Sequence, residues 1–335
     1  MSDRSPSRFD EPVAFNGNVY DHIRLGSLRF DTYPPFEIYF RPGADQPFVL
    51  YCERSTAFTE ESRKRLEDNN VSHLYVQHEQ RDDYNQYLAD NLSDILADEN
   101  LTVEEKTSIL YDSAQSVVQD VLEAPQTVEN VKRGKEVIHY TVDFVCSEGF
   151  MLDHFLRTIS CDYYLYTHSV NVSAYSVVLG MHAGFQDRAS LCELANGGLF
   201  HDVGRGRLPE ELQRKKEVLS NEEWEMVRQH PVEGHKILSE LGNLGEIALD
   251  IALHHHERMD GSGYPDALVA DQISPFVRIS AIADVFDALT SDRFHQESMK
   301  TFDALMFMKT ELSKELDPQL LDTFIHIMSG EPQKN

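Results

Sequence analysis

The chain carries side chains of metal-ligand type in a set order: His168, the adjacent pair His201-Asp202, His230 ahead of Pro231, the run His254-His255-His256-Glu257, and Asp284. An imidazole beside a carboxylate, followed by Gly204 and Gly206, lets both side chains turn toward one ion, and such nitrogen and oxygen donors suit iron, manganese and other divalent metals. Alone, His201-Asp202 reads equally well as a helix end with a solvated acid. The remaining ligands answer it, because donors recurring on otherwise apolar segments are poorly explained as exposed polar residues.

The elements that must position these residues are helices. Val170, Ala174, Val177, Val178 and Met181 make an apolar face that begins at His168, and Leu191, Leu194, Ala195 and Leu199 lead to His201. Ser220 with Glu223 caps a helix running to His230, where Pro231 breaks or kinks it before Ile237, Leu238 and Leu241. Ile247, Ile251 and His255 share one face, and Ile279, Ile282, Ala283 and Phe286 bracket Asp284. Ligands converging from several inward helix faces are how an all-α bundle builds a metal site.

Helical periodicity takes over after residue 126. Before it, residues 1–18 are polar and aperiodic and predict a loose arm. Phe36, Ile38 and Phe40 alternate, Arg41 to Pro47 has turn chemistry, and Phe48 to Tyr51 returns, which predicts a hairpin. Residues 59–69 predict a helix and Val71 to Val76 a further strand. Residues 81–99 and 102–123 predict helices, the second opened by Thr102 with Glu105 and striped by Leu110, Ala114, Val117, Val118 and Val121, a pattern that suits core or a linking or dimer helix. Ala124-Pro125 marks the boundary. The expected fold is α+β overall: an arm at 1–18, a small mixed α/β sensory or dimerisation domain at 19–125, and an all-α domain at 126–335.

The 335 residues, 41% apolar and 10% aromatic, suffice for ordinary cores. A net charge of −27 argues against a nucleic-acid partner, which would need clustered Lys and Arg. An anionic small substrate would then be held by local charge, which bound metal ions supply. No segment approaches the roughly 20 apolar residues of a membrane span, and the first residues lack a signal-peptide core, which predicts a cytoplasmic protein without membrane insertion. Cys52, Cys146, Cys161 and Cys192 form no Cys-x-x-Cys pair and suit a reducing compartment.

The pattern His201-Asp202-x-Gly204, His230-Pro231-x-x-Gly234, His255-His256-Glu257-x-x-Asp260-Gly261-x-Gly263-Tyr264-Pro265, Asp284-x-x-Asp287-Ala-Leu-Thr-x-x-Arg293 and Asp317-Pro318 resembles the HD-GYP family, metal phosphohydrolases that act on cyclic dinucleotides. The resemblance covers about residues 150–325. It implies an α-helical domain with a two- or three-metal centre, usually iron or manganese, that opens cyclic di-GMP to linear pGpG and sometimes continues to GMP. It places His168, His201, Asp202 and Asp284 on one metal, with Asp202 bridging to a second held by His230, His255 and His256, and leaves His254 in a supporting place. Two such metals, roughly 3.5–4 Å apart, make hydroxide available at neutral pH and neutralise the phosphodiester oxygens. The implied catalytic residues are Asp202, Arg205 and Asp287, the last orienting a ligand or merely capping. The implied substrate contacts are Arg205, Tyr264, Pro265 and Arg293.

Several positions depart from the family pattern. Arg205 stands where Lys is usual, Gln296 where a second basic residue is common, and Leu316 where Phe precedes the late Asp-Pro. Where members with a third ion carry Glu, four residues before the first His, this chain has Tyr164, a poor ligand for a hard cation, so the expected centre holds two metals. Two alternatives stay open: a non-catalytic cyclic di-GMP receptor that signals to a partner protein such as a diguanylate cyclase, and an HD-type phosphohydrolase of another nucleotide. A homodimer also remains open.

Overall fold

In a computed structural model of the chain, the described residues are 12–124, 127–147, 165–213, 215, 218–291 and 298–329. They divide into two compact units, one up to Ser113 and the other from Ala114.

The first unit is built on a five-stranded sheet of β1 (Val13–Phe15), β2 (Asn18–Arg24), β3 (Ile38–Phe40), β4 (Val49–Cys52) and β5 (His73–Gln77), in the order β1-β2-β5-β3-β4. All its pairings are antiparallel, and β3 with β4 is the hairpin that the alternation at 36–51 predicts. Period-two alternation sends Ile23, Ile38, Leu74 and Val76 to one face. There they bury with Phe36, Phe58, Leu66 of helix α1 (Glu60–Asp68) and Tyr87 of helix α2 (Arg81–Ala97). The expectation of a loose arm through residue 18 is corrected here. Val13–Phe15 pairs with Asn18–Tyr20 around Asn16 and Gly17, whose φ values of 51° and 87° form the left-handed pair that a two-residue hairpin turn requires. Asn-Gly adopts that pair at little cost, so the turn rather than the three-residue strand fixes the element.

The division between the units falls inside helix α3 (Val103–Glu123), ahead of Ala124-Pro125. Thr102 caps α3 reciprocally with Glu105: the Glu105 amide donates to Thr102 Oγ1 at 3.2 Å and the Thr102 amide to Glu105 Oε2 at 2.9 Å. Its stripe is core, with Val117, Val118 and Val121 all buried. From Ala114 onward α3 belongs with the helical unit, where Asp120 pairs with Arg133 of helix α4 (Val128–Ser147).

The second unit continues as α5 (Leu165–His182), α6 (Arg188–Phe200), a 3-10 segment Val203–Arg207, α7 (Asn221–Val227), α8 (His230–Leu241), α9 (Glu246–His254), α10 (Pro275–Thr290), α11 (Thr301–Thr310) and α12 (Pro318–Ser329). No β-strand occurs among its described residues. Helix α5 is buried without a break from Thr167 to Gly180 and packs against α6 and α10, so its polar residues must find partners inside the protein. The Ser220–Glu223 capping box forms, and Pro231 sits in the first turn of α8. The chain therefore breaks between α7 and α8, which leaves His230 at a helix start where its ring is free to turn inward. No described helix is long and apolar enough to cross a membrane.

Candidate metal centre

The seven side chains expected to bind metal converge. His168 is near the start of α5, His201 and Asp202 follow the end of α6, His230 opens α8, His255 and His256 follow α9, and Asp284 is mid-way along α10. Five of them, His168, His201, Asp202, His230 and His255, are 1% exposed each. Donor atoms of His168, His201 and Asp202 form one tight group, and those of Asp202, His230, His255 and His256 a second, so Asp202 belongs to both. Its Oδ2 lies 3.8 Å from His168 Nε2 and 3.6 Å from His201 Nε2, while its Oδ1 lies 3.0 Å from His230 Nε2 and 3.8 Å from His255 Nε2. Asp284 stands between the groups, with Oδ1 3.2 Å from His168 Nε2 and Oδ2 3.7 Å from His256 Nδ1.

The tautomers test whether this cluster fits metal. The Nδ1–H of His201 donates to the Gly198 carbonyl at 2.7 Å, that of His230 to Val227 at 2.7 Å and that of His255 to Ile251 at 3.1 Å. His168 Nδ1 donates to Asp287 Oδ2 at 2.7 Å. With Nδ1 protonated, each neutral ring turns a bare Nε2 lone pair inward. His168 and His201 then face each other at 3.3 Å, and His230 and His255 at 3.2 Å, acceptor against acceptor. Neither oxygen of buried Asp202 has a hydrogen bond of good geometry, and apart from the Arg205 guanidinium beside Oδ2 they face only imidazole nitrogens. A cation within each group resolves both conflicts, so the residues present fit divalent metal.

The charges agree. Burial alone would raise the Asp202 carboxyl, but Arg205, then His201 and His230, hold it well below the usual carboxylate range. Asp284 is held down against burial by its contact with His168 and by His256. Burial, then the neighbouring imidazoles, keeps His255 and His256 far below the ordinary histidine range. Both acids are thus anionic and these imidazoles neutral, the states that metal ligation needs.

One backbone approach sets the spacing across the centre. A Cβ on Gly204 would sit 2.6 Å from Gly234 N, 2.9 Å from His230 C and closer still to the His230 carbonyl oxygen. The glycine of His-Asp-x-Gly thus packs on the first turn of the helix that begins His-Pro-x-x-Gly, and this contact holds Asp202 beside His230.

Residues 157–320, which contain this centre, match the family model described as HD domain. The chain carries an HD domain of the HD-GYP type. Curated relatives of the HD-GYP domain include the cyclic di-GMP phosphodiesterase PA4108 of Pseudomonas aeruginosa, 35% identical over 170 residues, which are 51% of this chain and 41% of the relative. The 3'3'-cGAMP-specific phosphodiesterase 3 of Vibrio cholerae is 32% identical over 152 residues, 45% of this chain and 33% of the relative. The chain spans less than half the length of these relatives. Among solved structures, Bd1817, an HDG"Y"P protein from Bdellovibrio bacteriovorus, shares the fold with a TM-score of 0.64 at 23% identity, over 93% of this chain and 100% of that one.

The HD-GYP loop closes one side of the centre. The Tyr264 ring lies 4.7 Å from the His256 ring, and burial raises its hydroxyl pKa, with Arg205 opposing. Pro265 is half-buried beside it. Glu257, 2% exposed, holds the loop by accepting from the Asp266 amide at 2.7 Å and the Leu268 amide at 2.9 Å. His254 points away from the centre, with Nδ1 2.7 Å from Asp250 and Nε2 3.1 Å from Asp266. Arg205 places Nε 2.7 Å from Asp202 Oδ2, so its cation lies on the shared carboxylate. Asp287 lies behind His168, on the side of the ring away from the cluster. It holds His168 and is itself held by Asn171 Nδ2 at 2.7 Å and Ser291 Oγ at 3.2 Å. Leu316 is 2% exposed core, and Asp317 caps α12 and pairs with Arg278 at 3.1 Å, so the late Asp-Pro motif is structural. Arg293, Gln296 and Tyr164 lie outside the described residues.

The roles of Glu257, Asn171 and Ser291 were not apparent from the sequence. Glu257 carried a signal, a carboxylate fixed between two ligands and a glycine-rich loop. Asn171 and Ser291 carried one only once Asp287 was known to face His168.

Proposed function

We propose that the HD-GYP domain hydrolyses a cyclic dinucleotide, cyclic di-GMP, to linear pGpG at a two-metal centre of iron or manganese. The supporting observation is the single buried carboxylate of Asp202, whose two oxygens face two separate groups of imidazoles. When bound, two divalent ions there would activate water and neutralise phosphodiester oxygens. His168, His201 and Asp284 would hold one ion and His230, His255 and His256 the other, with Asp202 shared. The Nδ1 contacts fix the rings so that ligation costs little reorganisation. Arg205 places positive charge beside the site of reaction, and Tyr264 forms a wall for the substrate. Hydrolysis breaks one P–O3′ bond, giving the water oxygen to phosphorus and a proton to the 3′-oxygen. Tyr164 in place of an acid, read from the sequence, favours two ions over three and ring opening over complete hydrolysis.

The test is chromatography of products from purified protein with Mn2+ or Fe2+ and cyclic di-GMP, beside 3'3'-cGAMP, for which one relative is named. Appearance of pGpG supports the proposal. Tight binding of cyclic di-GMP without turnover would replace it with a receptor.

A further inference from the structure

Arg228 lies in the junction between α7 and α8, two residues before His230, and plays no part in the site described above. Its guanidinium is 5.3 Å from the centroid of the Tyr264 ring. That ring faces His256, whose own ring is 4.2 Å from His255. A run of neighbouring, mutually tilted rings therefore leads from His255 through His256 to Tyr264, with the Arg228 guanidinium over the last. The Arg228 side chain is 49% exposed, and the nearest carboxylate among the described residues is Glu225, 3.6 Å away and 70% exposed, a pairing worth little in water. A guanidinium held over a ring by a cation–π contact keeps N–H donors available to a ligand. Arg205 stands differently, against the buried Asp202 carboxylate.

Acidic residues outnumber basic ones 57 to 30 in this chain, and this exposed cation lies over the ring that flanks His256. One turn earlier on the same face is Trp224, the one tryptophan of the chain and 49% exposed; the Arg228 amide donates to the Trp224 carbonyl at 2.9 Å. A cyclic dinucleotide has two phosphodiesters, and a metal centre that cleaves one leaves the other unmatched.

We propose that Arg228 binds the second, uncleaved phosphodiester, with Trp224 offering a stacking surface to a base, so that together they select cyclic dinucleotides over substrates with a single phosphodiester. This rests on the phosphodiesterase reading of the centre. In it, Tyr264 orients the guanidinium, whose planar fork matches the two free oxygens of the phosphate.

The experiment compares wild type, Arg228→Ala, Arg228→Lys and Trp224→Ala with matched metal content. KM and kcat are measured for cyclic di-GMP and for bis(p-nitrophenyl) phosphate, and the Kd for cyclic di-GMP is measured by calorimetry on metal-free protein. Loss of one charge-assisted contact predicts that Arg228→Ala raises KM and Kd for cyclic di-GMP about ten- to hundredfold, with a much smaller change in kcat. Arg228→Lys recovers part of the loss, Trp224→Ala weakens binding in the same direction, and KM for bis(p-nitrophenyl) phosphate moves far less. Unchanged KM and Kd in Arg228→Ala would overturn the proposal. So would equal losses on both substrates, which would make Arg228 only a prop for Tyr264. A wild type that binds cyclic di-GMP without cleaving it would fail the phosphodiesterase reading alone, because the Kd comparison still reports on Arg228.

Discussion

Gly204→Ala adds one methyl group at the contact that spaces the two halves of the metal centre. The new Cβ would lie 2.6 Å from Gly234 N, nearer to the His230 carbonyl oxygen, and both neighbours are backbone that no rotamer change can move. Ordinary carbon contacts need about 3.5 Å, so the 3-10 segment and the first turn of α8 must part by about 1 Å. Overpacking of this kind costs about 1–3 kcal/mol, or roughly 3–10 °C in thermal midpoint for a domain of this size. The functional cost is larger. Asp202 Oδ1 and His230 Nε2 are 3.0 Å apart and belong to the same ligand group, so a displacement of that size spoils its geometry. A misplacement of about 1 Å in a catalytic arrangement costs about a hundredfold in rate. The assay is kcat/KM on cyclic di-GMP with metal content by elemental analysis and unfolding by circular dichroism. Gly43→Ala serves as control, because its Cβ would meet only Gln46 Cγ at 3.6 Å. If Gly204→Ala keeps full metal content and wild-type turnover, the close approach does not set the Asp202–His230 spacing.

Asp287→Asn removes the anion that holds His168 Nδ1, and metal affinity should fall about 10- to 100-fold with helical content intact; unchanged affinity by calorimetry would contradict this role. Arg205→Ala should slow hydrolysis about tenfold while Arg205→Lys stays within a few fold, and a wild-type rate in the alanine variant would leave Arg205 only a structural partner of Asp202. His22 in the first unit is pushed down to about 4 by burial and then by His73. Its neutral form is favoured by folding, so this stabilisation is complete above an unfolded pKa of about 6.5 and is lost as pH falls toward about 4. The shift corresponds to at most about 3 kcal/mol, reduced to about 1–2 by partial exposure. Urea midpoints at pH 7 and pH 5 should show it, and His22→Gln should flatten the dependence; an unchanged slope would contradict it.

The donors that converge in the candidate centre could be read from the sequence because each has a local signature, an imidazole or carboxylate ending or interrupting an apolar helical face. The capping boxes at Thr102 and Ser220 and the proline break before α8 were legible for the same reason, since their chemistry lies within a few residues. What depends on contacts between distant segments was not. Gly204 and Gly234 are ordinary glycines until two backbones touch, and Arg228 gains its place only when Tyr264 folds over His256. The hairpin at 13–20 is a different case: Asn16-Gly17 signals it, but a strand of three residues before the turn is too short to show an alternation. The boundary inside α3 is hidden because one unbroken helix serves two units, and Ala124-Pro125 marks the end of the helix rather than of the domain.

The two faces of Asp202 lead to one expectation, that its carboxylate is shared by two metals. Elemental analysis of anaerobically purified wild type and Asp202→Ala, beside their turnover of cyclic di-GMP, tests it most directly. A shared carboxylate predicts close to two metals per chain in the wild type, a substantial loss of both in Asp202→Ala, and no hydrolysis by that variant despite near-native helical content. An Asp202→Ala protein that retains two metals, or that keeps wild-type turnover, would contradict it.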